Sequence, residues 1–173
     1  MVKISTKLLG RNWILIRSCL IFAVIVLSWV VFYPALEDTH IMNRFLQFTA
    51  QLTASIIQLF GGQVKISDTI ISSADFSMRI GPECTAIVPI ILLLGAILAY
   101  PSGLRQKLAG LSVGTLVLFT LNQVRTVTLY YIGINTPSFF EIAHFVLWQS
   151  AMILVVIGIW LLWVGKMANA QHA

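Results

Sequence analysis

Apolar residues fill four long stretches of the chain, and the intervals between them are where polar residues return. The first stretch, WILIRSCLIFAVIVLSWVVFY from Trp13, is about 20 residues long, enough to cross a bilayer. It is long for the apolar part of a signal peptide and has no convincing small-residue cleavage site, so it reads as a retained anchor. Arg17 lies near its start and can snorkel to the headgroups. Three further apolar stretches run from about Thr85 to Tyr100, Leu108 to Tyr130 and Phe139 to Val164. The loop PSGLRQK and the turn INTPSF separate them.

The segment 34–82 breaks this pattern. It carries Glu37, Asp38, Arg44, Lys65, Asp68, Asp75 and Arg79. Within it, IMNRFLQFTAQLTASIIQLF has polar residues at 43, 47, 51, 55 and 58. That spacing predicts one polar stripe on an amphipathic helix, which fits the membrane surface better than a crossing. Gly61-Gly62 ends this helix. QVKIS and TIISSADFSMRI then alternate as short strands do, consistent with a small hairpin.

Composition adds weight to the membrane reading. The chain has 173 residues, 58% hydrophobic and 10% charged, with a mean hydropathy of +0.92; a soluble domain carries about 25% charged residues. Cys19 and Cys84 are too few for a disulfide framework. The net charge of +5 in such a chain marks cytoplasmic loops rather than nucleic-acid binding. With four crossings, Lys3, Lys7, Arg11, Arg105, Lys107 and Lys166 fall on one side, and 34–82 on the other. The positive-inside rule places both termini in the cytoplasm. The expected fold is an all-α polytopic membrane protein of about four transmembrane helices, with an extracytoplasmic amphipathic helix and a small β-hairpin. Residues 1–173 form a single membrane domain, with 34–82 as its extracytoplasmic insert.

Candidate chemistry lies where polar side chains enter apolar stretches. Asn122 and Arg125 are i, i+3 near the end of the third crossing, and Glu141, His144 and Trp148 are i, i+3, i+7 near the start of the fourth. A charged side chain within a membrane helix costs at least about 2.5 kcal/mol on insertion scales and usually faces a cavity with a task. The topology brings Arg125, His144 and Cys84, at the start of the second crossing, to one depth. Alone, the Arg is a headgroup anchor, the His an interfacial hydrogen-bonder and the Cys a small hydrophobe. Their common depth favours chemistry.

Gly81-Pro82 ends the hairpin and starts a helix. Cys84 is then expected in the first turn of that helix, where the dipole favours a thiolate. Glu83 opposes this unless it points away or pairs with Arg125. In this reading Cys84 attacks a carbonyl, His144, oriented by Glu141, protonates the leaving amine, and Arg125 stabilises the oxyanion. Asn122 is a supporting residue. Cys19 lies in lipid or helix packing and should be inert. No cofactor is called for. Two strong ligands, Cys84 and His144, with scattered acids make a poor zinc site.

These residues resemble the exosortase/archaeosortase family: GPECTA around Cys84, NQVR around Arg125, the membrane-edge His144, and the LFGGQV approach to the strands. The likeness covers roughly residues 40–150 and is most like the exosortase H branch. Thr85-Ala86 departs from the Ser-Gly that many relatives have after the cysteine. The resemblance implies a cysteine protease and transpeptidase of the bacterial cytoplasmic (inner) membrane, with its active site at the extracytoplasmic face. Its implied partners are secreted proteins with a C-terminal motif, a transmembrane helix and a basic cluster, together with membrane lipid and an unidentified surface acceptor. Soluble sortases use the same three residue types on an unrelated β-barrel, a convergence in chemistry. The rivals are a non-enzymatic membrane chaperone or assembly subunit, and a hydrolytic intramembrane thiol protease.

The topology is tested by reporter fusions after Gly62 and at the C-terminus. The expected result is an extracytoplasmic signal at Gly62 and a cytoplasmic one at the C-terminus. A cytoplasmic signal at Gly62 refutes the four-crossing arrangement.

Overall fold

The computed structural model describes the backbone of residues 2–170 and the side chains of residues 13–167; Lys3, Lys7 and Arg11 fall outside the described side chains. Helix α1 (Val2–Glu37) is followed by α2 (His40–Leu59), three short strands, α3 (Ile87–Ala99), α4 (Leu104–Asn135), a short α5 (Phe140–Ile142) and α6 (Gln149–Ala170). Among the described residues, three helical spans are long and apolar enough to cross a membrane: Trp13–Glu37, Leu104–Asn135 and Pro137–Met167. This is a multi-pass membrane protein.

The second expected crossing is shorter than anticipated. Helix α3 has 13 residues, about 20 Å at 1.5 Å per residue, against a hydrocarbon core of about 30 Å. The chain ahead of it is used instead for a 3-10 turn at Pro82–Cys84. Helix α3 is the packing centre of the membrane part, touching α1, α4 and α6. Gly95 lets α1 approach: a Cβ there would meet Phe22 at 3.0 Å. Ser18 Oγ donates to Ala99 O at 2.7 Å at the other end of this contact.

Helix α2 is amphipathic as its stripe predicts, and it is not among the candidate spans. Thr39 caps it by accepting from the Met42 N–H at 3.2 Å. It ends in a Schellman motif: Gly62 N–H donates to Ile57 O and Gly61 N–H to Gln58 O, both at 2.9 Å. Gly61 has φ +85°, the left-handed conformation that glycine adopts without penalty. The buried face of α2 (Met42, Leu46, Ala50, Ala54, Ile57) packs on the sheet and on α4.

The expected hairpin is a three-stranded antiparallel sheet, β1 (Lys65–Ser67), β2 (Ile70–Ser72) and β3 (Ser77–Arg79), in the order β1-β2-β3. TIISSADFSMRI doubles back on itself at Ser73–Phe76, where Ser73 N–H donates to Phe76 O at 2.8 Å. Asp68, at φ 58° in the first turn, accepts from Gln47 Nε2 at 2.7 Å, tying the turn to α2. Ile71, Met78 and Ile80 are buried in the core shared with α2.

Two cores result. One joins α2, the sheet and the C-terminal half of α4. The other joins α3, α6 and the N-terminal half of α4. Phe76, between β2 and β3, bridges from the sheet to the helices. Its ring lies 6.0 Å from Tyr130 and 5.7 Å from Phe140, and it covers Gly133 of α4.

A Cβ at Gly133 would overlap the Phe76 ring, whereas Gly158 on α6 has open space around it. Gly133→Ala is therefore expected to destabilise the protein by about 1–3 kcal/mol through overpacking. Gly158→Ala should be neutral or mildly stabilising through helix propensity. Thermal denaturation of the purified variants in detergent reads both. Equal stability of the two would contradict this packing.

Candidate active site

Cys84 lies where the two cores meet: it belongs to the first and Ala86 to the second. Pro82 pre-sets the 3-10 turn, which is closed by Cys84 N–H to Gly81 O (2.9 Å) and Thr85 N–H to Pro82 O (3.1 Å). Thr85 Oγ1 donates to the same Pro82 carbonyl at 2.6 Å. Helix α3 begins only at Ile87. Cys84 is thus not in the first turn of α3, and its N–H is already committed.

This changes the expected electrostatics. Burial pushes the Cys84 thiol up from the ordinary thiol range; a backbone hydrogen bond at Gly81 opposes the rise, the Glu83 carboxylate adds to it, and Arg125 opposes it. Desolvation of the charged form outweighs the charges nearby. The resting group is a thiol, not the dipole-stabilised thiolate that the sequence pattern suggested.

Helix α4 supplies the floor. Asn122, Gln123, Arg125 and Thr126 are all buried. Asn122 Nδ2 donates to the Cys84 carbonyl at 2.9 Å, so α4 grips the Cys84 peptide. Thr126 Oγ1 donates to Asn122 O at 2.6 Å. Gln123 Oε1 accepts from Thr53 Oγ1 of α2 at 3.0 Å. Arg125 is only 2% exposed, and its Nε has no hydrogen-bond partner. Asn122 Oδ1 and Gln123 Nε2 are also buried without partners.

His144 comes from the last rod. Its Nε2 is 3.6 Å from Cys84 Sγ. The rod is not a regular α-helix here, because Ala143–Trp148 is π-helical. The wider turn buries Ala143 and His144 together while Glu141 and Phe145 on either side are exposed. π segments of this kind recur at functional sites. The rings of Phe140 (5.9 Å) and Phe145 (4.5 Å) flank the imidazole.

The structure therefore gathers Cys84, Asn122, Arg125 and His144, and leaves the two acids outside. Glu141 is exposed, and the hydrogen-bond partner of His144 is Cys84 rather than Glu141. Glu83 is also exposed and lines a cavity of about 380 Å³ with Tyr33, Thr85 and Gln149. Cys19 is exposed on the outer surface of α1, in the membrane-crossing span. Thr53, Thr85 and Gln123 were not foreseen as parts of the site. Thr53 and Thr49 interrupt the apolar face of α2 at i, i+4, and that was the available signal. Among the described residues, no three His, Cys, Asp or Glu side chains cluster as a metal site would need.

A family model described as transmembrane exosortase matches residues 9–164. No curated protein and no solved structure matches this chain.

Because burial holds the proton on Cys84, its alkylation by a small neutral reagent should rise with pH along a curve displaced above that of glutathione. A curve displaced below it would mean that Arg125 outweighs desolvation. Mass spectrometry of the Cys84 peptide after timed labelling measures the rate.

Proposed function

The chain belongs to the transmembrane exosortase family, and from that premise we propose that it is a protein-sorting cysteine protease and transpeptidase. It cleaves C-terminal sorting signals of secreted proteins and transfers the new end to a surface acceptor. The observation that carries this reading is the 3.6 Å approach of His144 Nε2 to Cys84 Sγ beside the buried Arg125.

Cys84 begins as a thiol and gives its proton to His144 Nε2. The thiolate attacks the carbonyl carbon at the scissile peptide bond, forming a C–S bond and an oxyanion. The C–N bond then breaks, and the imidazolium returns the proton to the leaving amine. A thioester on Cys84 remains. The acceptor nucleophile gives its proton to His144, attacks the thioester and releases the Cys84 thiol. Proton transfer inside the Cys84–His144 pair lets a buried thiol react without standing as an isolated charge.

Arg125 is the oxyanion donor in this scheme. The backbone N–H groups of Cys84 and Thr85 already close the 3-10 turn and are not free for that role. Arg125 brings a rigid fork of donors with an unpartnered Nε. It also gives a buried cation an anion to meet when charge develops. Asn122 acts through Cys84, fixing the carbonyl of the nucleophile. The substrates are secreted proteins with a C-terminal motif, transmembrane helix and basic cluster. The site faces the extracytoplasmic side of the cytoplasmic membrane.

The test follows the thioester. In acceptor-depleted membranes, a substrate–enzyme adduct through Cys84 should accumulate and be released by hydroxylamine. His144→Ala should not build it up, because the amine leaves poorly without a proton. Arg125→Lys should lose on the order of a hundredfold in cleavage rate, since charge alone does not replace the fork. Normal cleavage by Cys84→Ala would overturn the proposal. A free carboxyl terminus in the presence of acceptor would make the enzyme a hydrolase rather than a transferase.

A further inference from the structure

A second cavity, of about 600 Å³, lies at the opposite end of α4 and α6 from Cys84. Its mouth carries Arg105 and Lys166, and its walls include Gly110, Gly114, Val117 and Trp163. Both glycines are buried and let neighbouring side chains approach α4, Trp163 at Gly110 and Leu93 and Ile159 at Gly114. The Trp163 indole lies against Gly110, its Nε1 donating to Gln106 O at 3.1 Å. The volume lies within the range of about 300–1,000 Å³ typical of ligand pockets.

The position is set by helix length. Arg105 and Arg125 are 20 residues apart on α4, about 30 Å, and that equals the hydrocarbon core. Lys166 and His144 are separated by a similar span. The two cations therefore sit at the membrane face opposite the Cys84 site. From Arg105 to Val117 the groove runs about 18 Å, close to the roughly 15 Å depth of one leaflet. It is a slot one leaflet deep with charge at its surface end.

The charge at that end is one-sided. All six acidic residues, Glu37, Asp38, Asp68, Asp75, Glu83 and Glu141, belong to the Cys84 end of the molecule, and none lines the groove. Arg105 and Lys166 are both exposed. Lys107, by contrast, is already engaged, its Nζ donating to Leu98 O at 2.8 Å.

We infer that this groove binds one anionic phospholipid of the leaflet opposite the Cys84 site, its phosphate held by Arg105 and Lys166 and an acyl chain laid along the apolar wall. A zwitterionic lipid offers the same chain but no net charge to two cations. A soluble phosphate offers the charge but no chain. The site is separate from the chemistry at Cys84 and does not depend on it.

The test is native mass spectrometry of the delipidated full-length protein after reconstitution with phosphatidylglycerol or phosphatidylcholine of identical chains. Wild type should retain one phosphatidylglycerol in preference to phosphatidylcholine. Arg105→Gln/Lys166→Gln should weaken that binding on the order of thirtyfold, the product of two charges at the membrane surface. Lys65→Gln, at the other end, should leave it unchanged. Val113→Trp, from an exposed wall position, should fill the slot and displace the lipid while both charges remain. Equal retention of the two lipids, or unchanged retention in either groove variant, overturns the inference. So does displacement by millimolar sn-glycerol 3-phosphate, which would make this a soluble-phosphate site.

Discussion

A guanidinium buried in a membrane helix is the constraint around which this molecule is arranged. Arg125 is 2% exposed, and within a membrane helix such a group is expensive unless something receives its charge. Glu83 and Glu141 are both exposed, with Glu83 near enough to act on Arg125 through its charge. What lies near it is the Cys84–His144 pair, whose Sγ and Nε2 are 3.6 Å apart. In the proposed reaction such a cation is placed to receive an oxyanion.

The rest of the fold keeps that arrangement still. Helix α4 holds both Arg125 and the Asn122 amide that grips the Cys84 carbonyl, so Cys84 and the cation are referred to one rigid rod. The segment between α1 and α3 contributes its own clamps. Thr53 of α2 reaches Gln123, and Phe76 closes over Gly133 between Tyr130 and Phe140. The sheet is too small to be stable alone, but it covers the end of α4 and the entry to the His144 segment.

The two ends of the molecule are chemically unlike. The Cys84 end carries every acidic side chain and all the buried polar contacts of the site. The opposite end has basic side chains without acids, an apolar groove and the Trp163–Gly110 contact. This polarity suits a protein held at fixed depth in a membrane, in line with the proposed reaction at one interface and the inferred anionic lipid at the other.

Much of this was legible in the sequence. Apolar run lengths located the long spans, because lipid tolerates little else. A polar stripe with a 3.6-residue period identified α2. Cys84, Arg125 and His144 stood out because polar groups in lipid need a reason. The sequence also determined which residues share a face, but only for regular helices. Tertiary structure decided the rest. It shortened the second apolar stretch to α3, because Pro82–Cys84 became a separate turn closed by its own hydrogen bonds. It folded the expected hairpin into three strands, because Ser73–Phe76 makes a second reversal. It left Glu141 exposed and buried His144 at the start of a π segment, which no periodicity in the sequence announces. And it pushed the Cys84 thiol up, because desolvation depends on what packs around a residue and not on what stands next to it in the chain.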